Sequence, residues 1–199
     1  MLSGNEIQQH LTGAWRLMLG RSDGLKLLDL TADGFWNSFF SIVLSLPAFF
    51  VSWAGTANHL GLQSDVYGSP LSIVVRLAMR DLGAWVLPLV ALAFVAPRAG
   101  VGDRFVHYVV ASNWSSVLIV WMMLPATLVQ LLAPDLEGIF GALSLTLFAL
   151  TMVFTWRMTN ATLGKGAAVA TGLFAAMFVA SLLVLFALQA LLGLGDVTA

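Results

Sequence analysis

Five apolar runs take up most of this chain: residues 34–54, 71–96, 105–132, 138–156 and 167–192. Each is long enough to cross a hydrocarbon core as a helix, which needs about 20 residues. A bilayer interior offers no water to unpaired backbone groups, so such runs must satisfy their hydrogen bonds within themselves as helices. The loops between them sort by charge. Arg16, Arg21 and Lys26 precede the first run, Arg98 and Arg104 join the second to the third, and Arg157 and Lys165 join the fourth to the fifth. The intervening segments 55–70, 133–137 and 193–199 hold no Lys or Arg. The positive-inside rule then places the N-terminus in the cytoplasm and the C-terminus outside. The expected fold is all-α: a polytopic membrane helical bundle of five transmembrane helices (34–192), preceded by a cytoplasmic segment with an interfacial amphipathic helix (1–33) and followed by a short external tail (193–199).

Composition supports that class and excludes others. With 59% hydrophobic and 10% charged residues, the chain lies far from soluble domains, where about a quarter of residues are charged. A formal net charge of −1 gives no global attraction for nucleic acid, and no basic cluster is dense enough to predict it. The absence of cysteine rules out disulfides, thiolate metal sites and a thiol nucleophile. The first 33 residues lack the apolar core of a secretory signal and carry Glu6, Asp23, Asp29 and Asp33, so the first span is expected to serve as an uncleaved signal anchor.

Ahead of the first span, Ile7, Leu11, Ala14, Trp15 and Met18 recur at helical spacing, the pattern of a helix that docks on lipid, on a partner, or on its own bundle. Gly20, Asp23-Gly24 and Asp33-Gly34 mark its end and the turns that follow. Span one has aromatic ends, Phe35-Trp36 and Trp53, and Pro47 inside it favours a kink that neighbouring helices can offset. The segment 55–70, with His59, Asp65 and Tyr67, reads as the longest external loop.

The candidate site residues are polar or small side chains inside apolar runs. On span two, Arg76 and Arg80 share a helix face and Asp81 is adjacent, so one carboxylate can partly neutralise two guanidinium groups. That cluster suits an anionic headgroup or substrate, or the arginines snorkel outward and anchor the span. On span three, Asn113 falls some 13 Å past the basic boundary, where an amide either hydrogen-bonds a neighbouring helix or lines a substrate path. His107 does not share its face and reads as an interfacial residue. On span five, Ala168, Gly172, Ala176 and Ala180 repeat every four residues, the signature of a helix-packing face.

No HExxH, GxSxG, phosphate-binding loop or paired intramembrane aspartate is present, and the three histidines lie at different depths. The expectation is therefore no catalytic residue, no metal and no cofactor. The stretch Leu28-Asp29-Leu30-Thr31-x-Asp33-Gly34-Phe35-Trp36, followed by five spans with N-in, C-out topology, resembles the Yip1-like family of multispanning membrane proteins. That resemblance, one of layout, implies the fold and a non-enzymatic, partner-binding role, and carries over no site residue. The leading expectation is a non-catalytic protein of a bacterial inner membrane that binds lipids, membrane-protein partners or a second copy through span five and the N-terminal helix. The alternative is a small transporter or channel subunit in which Arg76, Arg80, Asp81 and Asn113 line a polar path, with Pro47, Pro88 and Pro125 breaking helices beside it.

Overall fold

The computed structural model describes residues 2–63, 69–133 and 135–194. Seven α-helices are present among them: α1 (Gly4–Met18), α2 (Ala32–Asn37), α3 (Phe40–Gln63), α4 (Pro70–Val95), α5 (Phe105–Leu132), α6 (Glu137–Leu163) and α7 (Ala167–Leu191). No strand occurs among the described residues. Five stretches are long and apolar enough to cross a membrane: Ala32–Asn58, Pro70–Val95, Gly102–Leu132, Gly138–Leu163 and Ala167–Leu191. The chain is an all-α, multi-pass integral membrane protein.

Local chemistry fixes where the helices begin and end. The Ser3 hydroxyl accepts from the Glu6 N–H at 3.3 Å, and the Ser3 N–H donates to Glu6 Oε2 at 2.6 Å. This reciprocal box satisfies donors that a helix start leaves orphaned. Ser69 caps α4 by accepting from the Ser72 N–H at 3.3 Å, with Pro70 in the first turn. Gly164, in the left-handed region at φ 61°, ends α6.

The five spans form a ring. α3 packs on α4 and α5, α5 on α6, α6 on α7, and α7 closes back on α4, whereas α4 and α5 touch only lightly. Each spanning helix thus has two main neighbours, and the middle of the ring is left to side chains. Where the chain passes Pro47, inside α3, Trp121 Nε1 of α5 donates to the Leu44 carbonyl at 3.0 Å, a neighbouring helix supporting the turn that carries the proline.

α1 caps the end of the ring that carries the basic residues. It packs on α5, α6 and the 3₁₀ turn Ser22–Leu27, and Ala14, Leu17 and Met18 are fully buried. Of the three dockings open to it, the helix takes the one on its own bundle. Gly13 and Gly24 make the crossing between α1 and the turn possible: a Cβ on Gly13 would stand 2.8 Å from the Gly24 carbonyl oxygen. At the opposite end, the chain folds back after α7. Gly193 takes φ 65°, Gln189 Nε2 donates to the Leu194 carbonyl at 3.2 Å, and Leu194 is buried against Trp53, Ile73 and Leu77.

Three boundaries differ from those read in the sequence. Span one is interrupted at Ser38–Phe39, where the Ser38 hydroxyl donates to the Phe35 carbonyl at 2.7 Å and short i→i+3 bonds replace the α-helical pattern. Helix α3 then runs on to Gln63, so much of the expected external loop is helix, held by Trp53 and Ala57 against α4. Asp65 and Tyr67 lie outside the described residues. Helix α6 continues past Trp156 to Leu163, because docking of α1 gives Met158 and Leu163 an apolar surface to bury against; Arg157 therefore sits on a helix rather than in a loop.

Candidate functional site

A cavity of about 370 Å³ occupies the middle of the ring, with all five spans contributing to its wall. On α5 its lining runs from Tyr108 to Val120, twelve residues or about 18 Å along the helix axis. Most of the wall is apolar: Phe49 from α3, Leu89 from α4, Met152 from α6, and Phe174 and Phe178 from α7. Against it stand one carboxylate, Asp81, and five hydroxyls, those of Tyr108, Ser112, Ser116, Thr155 and Ser181.

Four of the five hydroxyls divide into satisfied and available. Thr155 returns its proton to the Thr151 carbonyl at 2.8 Å. Ser112, Ser116 and Ser181 have no side-chain hydrogen-bond partner among the described residues, and they line the cavity. Ser112 and Ser116 are one helical turn apart, so their Oγ atoms share a face of α5.

Asp81 closes the cavity at the end away from the basic loops. Its Oδ2 accepts from Trp53 Nε1 of α3 at 2.8 Å and its Oδ1 from Arg80 Nε at 2.7 Å. The pair is largely shielded, with side-chain exposures of 19% for Arg80 and 18% for Asp81. Arg80 is therefore turned to the carboxylate rather than extended freely outward. Arg76 does not join it. Its Nη1 lies instead beside Gly193, where a Cβ would stand 3.8 Å away, at the carbonyl-bearing end of α7 that favours a cation. One carboxylate thus serves one guanidinium and one indole.

Asn113 is fully buried and is not part of the cavity lining. Its Oδ1 accepts from Trp85 Nε1 of α4 at 3.0 Å and its Nδ2 donates to Ser38 Oγ at 2.8 Å. The amide ties α4 and the α2–α3 junction to α5, and through Trp85 it supports the cavity wall. An aromatic ladder joins the two polar centres. Phe49 stacks on Trp53 with centroids 5.3 Å apart and meets Trp85 at 6.1 Å, so one phenyl ring separates the indole that serves Asp81 from the indole that serves Asn113.

The small-residue stripe of α7 lies across an open groove from α4 rather than in close contact with it. Gly172 and Ala176, with Ala180, line an apolar groove of about 410 Å³ between α4 and α7, together with Pro88, Leu92 and Val95; Ala168 is exposed nearby. A Cβ on Gly172 would meet nothing within 4 Å. The closest approach of α7 to α4 at a glycine falls instead on Gly83, where a Cβ would collide with the Leu188 side chain.

Sequence reading picked out Asp81, Arg80 and Asn113 but not the serines or the two indoles that join them. Ser112 and Ser116 carried a usable signal, two hydroxyls one turn apart inside an apolar run. Trp53 and Trp85 did not, because an indole in a span reads first as an interfacial anchor. Among the described residues no group of three His, Asp or Glu is placed to hold a metal ion. No protein-family model matches the chain, and neither does any curated protein or solved structure.

Proposed function

We propose that this chain is a non-enzymatic membrane protein that holds a small amphiphilic, lipid-like molecule inside its ring of spans. The observation that carries the reading is the lining of the central cavity: free hydroxyls of Ser112, Ser116 and Ser181 and the Asp81 carboxylate on otherwise apolar walls. Small-molecule sites combine just this, a volume of about 300–1,000 Å³, a predominantly apolar surface and a few convergent polar groups that fix orientation. Both Asp81 oxygens are already engaged once, yet a carboxylate oxygen has two lone pairs, so a ligand hydroxyl or amine can add a bond. A catalytic role lacks a partner for the serines: among the described residues no His, Lys or Cys lines the cavity.

A second reading, a small transporter subunit, is favoured by the length of the lining. Polar groups recur from Tyr108 near the basic end to Asp81 near the other, over much of the hydrocarbon thickness. In either reading the basic end faces the cytoplasm of a bacterial cell, because Arg16, Arg98, Arg104, Arg157 and Lys165 gather there and cationic loops are retained on that side. The resemblance in layout to the Yip1-like family is in keeping with the non-catalytic reading.

The test is mass spectrometry of molecules retained by the tagged protein purified in mild detergent from its native membrane, compared with Ser116→Leu and Ser181→Leu. Fillers of the cavity should reduce the retained molecule about tenfold or more, the cost of roughly 1.4 kcal/mol of lost contact. Equal retention by wild type and both variants would remove the cavity as the site. Flux of the retained molecule across vesicles containing the protein would select the transporter reading.

A further inference from the structure

A second apolar cavity, about 550 Å³, lies at the basic end of the bundle between α2, α4 and α5. It is a slot because α4 and α5 barely touch there, while α2 packs on α5 from the side. Phe35, Phe39, Val90, Phe94, Phe105 and Val109 form its walls, and among the described residues the Trp36 indole N–H is the one side-chain polar group that lines it. The aromatic wall is itself packed: the Phe35 ring stands 5.6 Å from Phe39 and 6.1 Å from Phe105. Leu89 is common to this slot and the central cavity and partitions them.

The mouth of the slot carries the opposite character. Val86, Val90 and Phe94 follow one another at four-residue spacing along α4, and the next step of that row is Arg98. The helical turn persists that far, since the Ala99 N–H reaches the Val95 carbonyl at 2.9 Å. Arg98 Nη1 rests on the Phe94 carbonyl at 3.2 Å, which keeps the guanidinium beside the slot. Across the opening, Arg104 immediately precedes Phe105. Its acidic neighbour Asp103 lies 3.9 Å away and is held more closely by Lys165 at 2.6 Å, so Arg104 shares that carboxylate with a nearer cation.

We infer that this slot is a binding site for an anionic phospholipid, with an acyl chain laid against Phe39, Val90 and Phe94 and the headgroup phosphate received by Arg98 and Arg104. The chain segment accounts for the apolar walls, which a free phosphate would leave unused. Two guanidinium groups account for the preference for an anionic head, because arginine presents paired donors that match phosphate oxygens. The site is separate from the hydroxyl-lined cavity and stands whether or not that cavity is occupied.

The test uses the full chain in detergent micelles doped with phosphatidylglycerol or phosphatidylcholine of identical acyl chains, with native mass spectrometry to count retained lipid. Wild type should retain phosphatidylglycerol preferentially. Arg98→Gln combined with Arg104→Gln should cut that retention by about tenfold or more, since both cations that receive the anionic headgroup are removed. Phosphatidylcholine retention should be unchanged. Val90→Trp fills the slot while keeping both arginines and should lose phosphatidylglycerol as well. Undiminished preference in the double Gln variant, or retention of free glycerol phosphate by wild type as strongly as phosphatidylglycerol, would overturn the inference. A measurement needing no variant guards against misfolding: phosphatidylglycerol with a photoreactive acyl chain should label Phe94 and Val109 in wild type. Labelling confined to α6 and α7 would overturn the site.

Discussion

Trp85 and Asn113 are joined across the thin seam between α4 and α5 by a single hydrogen bond, indole Nε1 to amide Oδ1, 3.0 Å long. The relationship matters because these two helices scarcely pack otherwise. It holds one wall of the central cavity in place, and the second arm of the same amide, to Ser38 at 2.8 Å, fixes where α2 turns into α3. Trp85→Phe and Asn113→Ala should each destabilise the bundle, and the double variant should cost less than their sum. The expected coupling is about 0.6–1.7 kcal/mol, the range measured for hydrogen bonds between membrane helices. Unfolding of the four proteins in mixed micelles checks it; strictly additive losses would mean that the bond contributes nothing net.

Asp81 is the residue whose replacement should be most informative about charge inside the ring. Asp81→Asn keeps an acceptor for Trp53 but leaves Arg80 without its carboxylate in a site only 19% exposed. Breaking a buried pair by removing one partner costs about 3–5 kcal/mol, and partial exposure here brings the expectation to roughly half of that. Adding Arg80→Met to Asp81→Asn should recover most of the stability, because no uncompensated guanidinium remains. Failure of that second substitution to rescue would show that the loss does not come from an uncompensated Arg80 guanidinium.

How much of this was legible in the residues depends on what each residue had to report. Span number and the basic end follow from apolar length and loop charge, which are properties of single segments. Arg80 and Asp81 stood out because any charge inside a run is costly. The partners of those groups were hidden: Asn113 finds Ser38 from 75 positions away in sequence, and no local pattern encodes which helix faces which. The ring order, with α3 between α4 and α5, is likewise set by packing. The α7 stripe shows the converse. Small residues every four positions report only that something may approach closely, and in this chain the close approach to α4 falls on Gly83 instead.

His10 gives the cap on the basic end a dependence on pH. It is 6% exposed, its ring lies 4.8 Å from that of Trp114, and its Nδ1 is buried without a hydrogen-bond partner. Burial pushes its pKa below the ordinary 6.5, against the opposing pull of the Asp29 and Glu6 carboxylates. Because the folded state disfavours the proton, the unfolded cap binds more protons than the docked one, and docking weakens as pH falls. The stabilisation is complete above about pH 6.5 and is lost progressively from there towards the lower folded-state value. Hydrogen exchange of the α1 amides should therefore be faster at about pH 5.5 than chemical exchange alone explains, and His10→Phe should remove the excess. Exchange of α1 that follows the intrinsic rate at both pH values in the wild type would show that His10 does not govern docking.

Gly83 and Gly172 separate packing within the chain from association between chains. A side chain at Gly83 must displace Leu188 at the α4–α7 contact; Ala can be accommodated by a rotamer change of that flexible leucine, whereas Leu cannot. Gly83→Leu should destabilise the bundle by about 1–3 kcal/mol, the usual cost of overpacking. At Gly172 a Cβ meets nothing within 4 Å and the position opens onto the groove beside Pro88 and Leu92, so Gly172→Leu can extend into that space and should leave the unfolding midpoint of the isolated chain unchanged. If the stripe seats a second copy, Gly172→Leu will shift the protein to monomer in analytical ultracentrifugation, since small residues are what let two helix backbones meet. A mass unaltered by Gly172→Leu, with the Gly83→Leu loss intact, would assign the groove to lipid chains and leave Gly83 as the glycine that membrane packing requires.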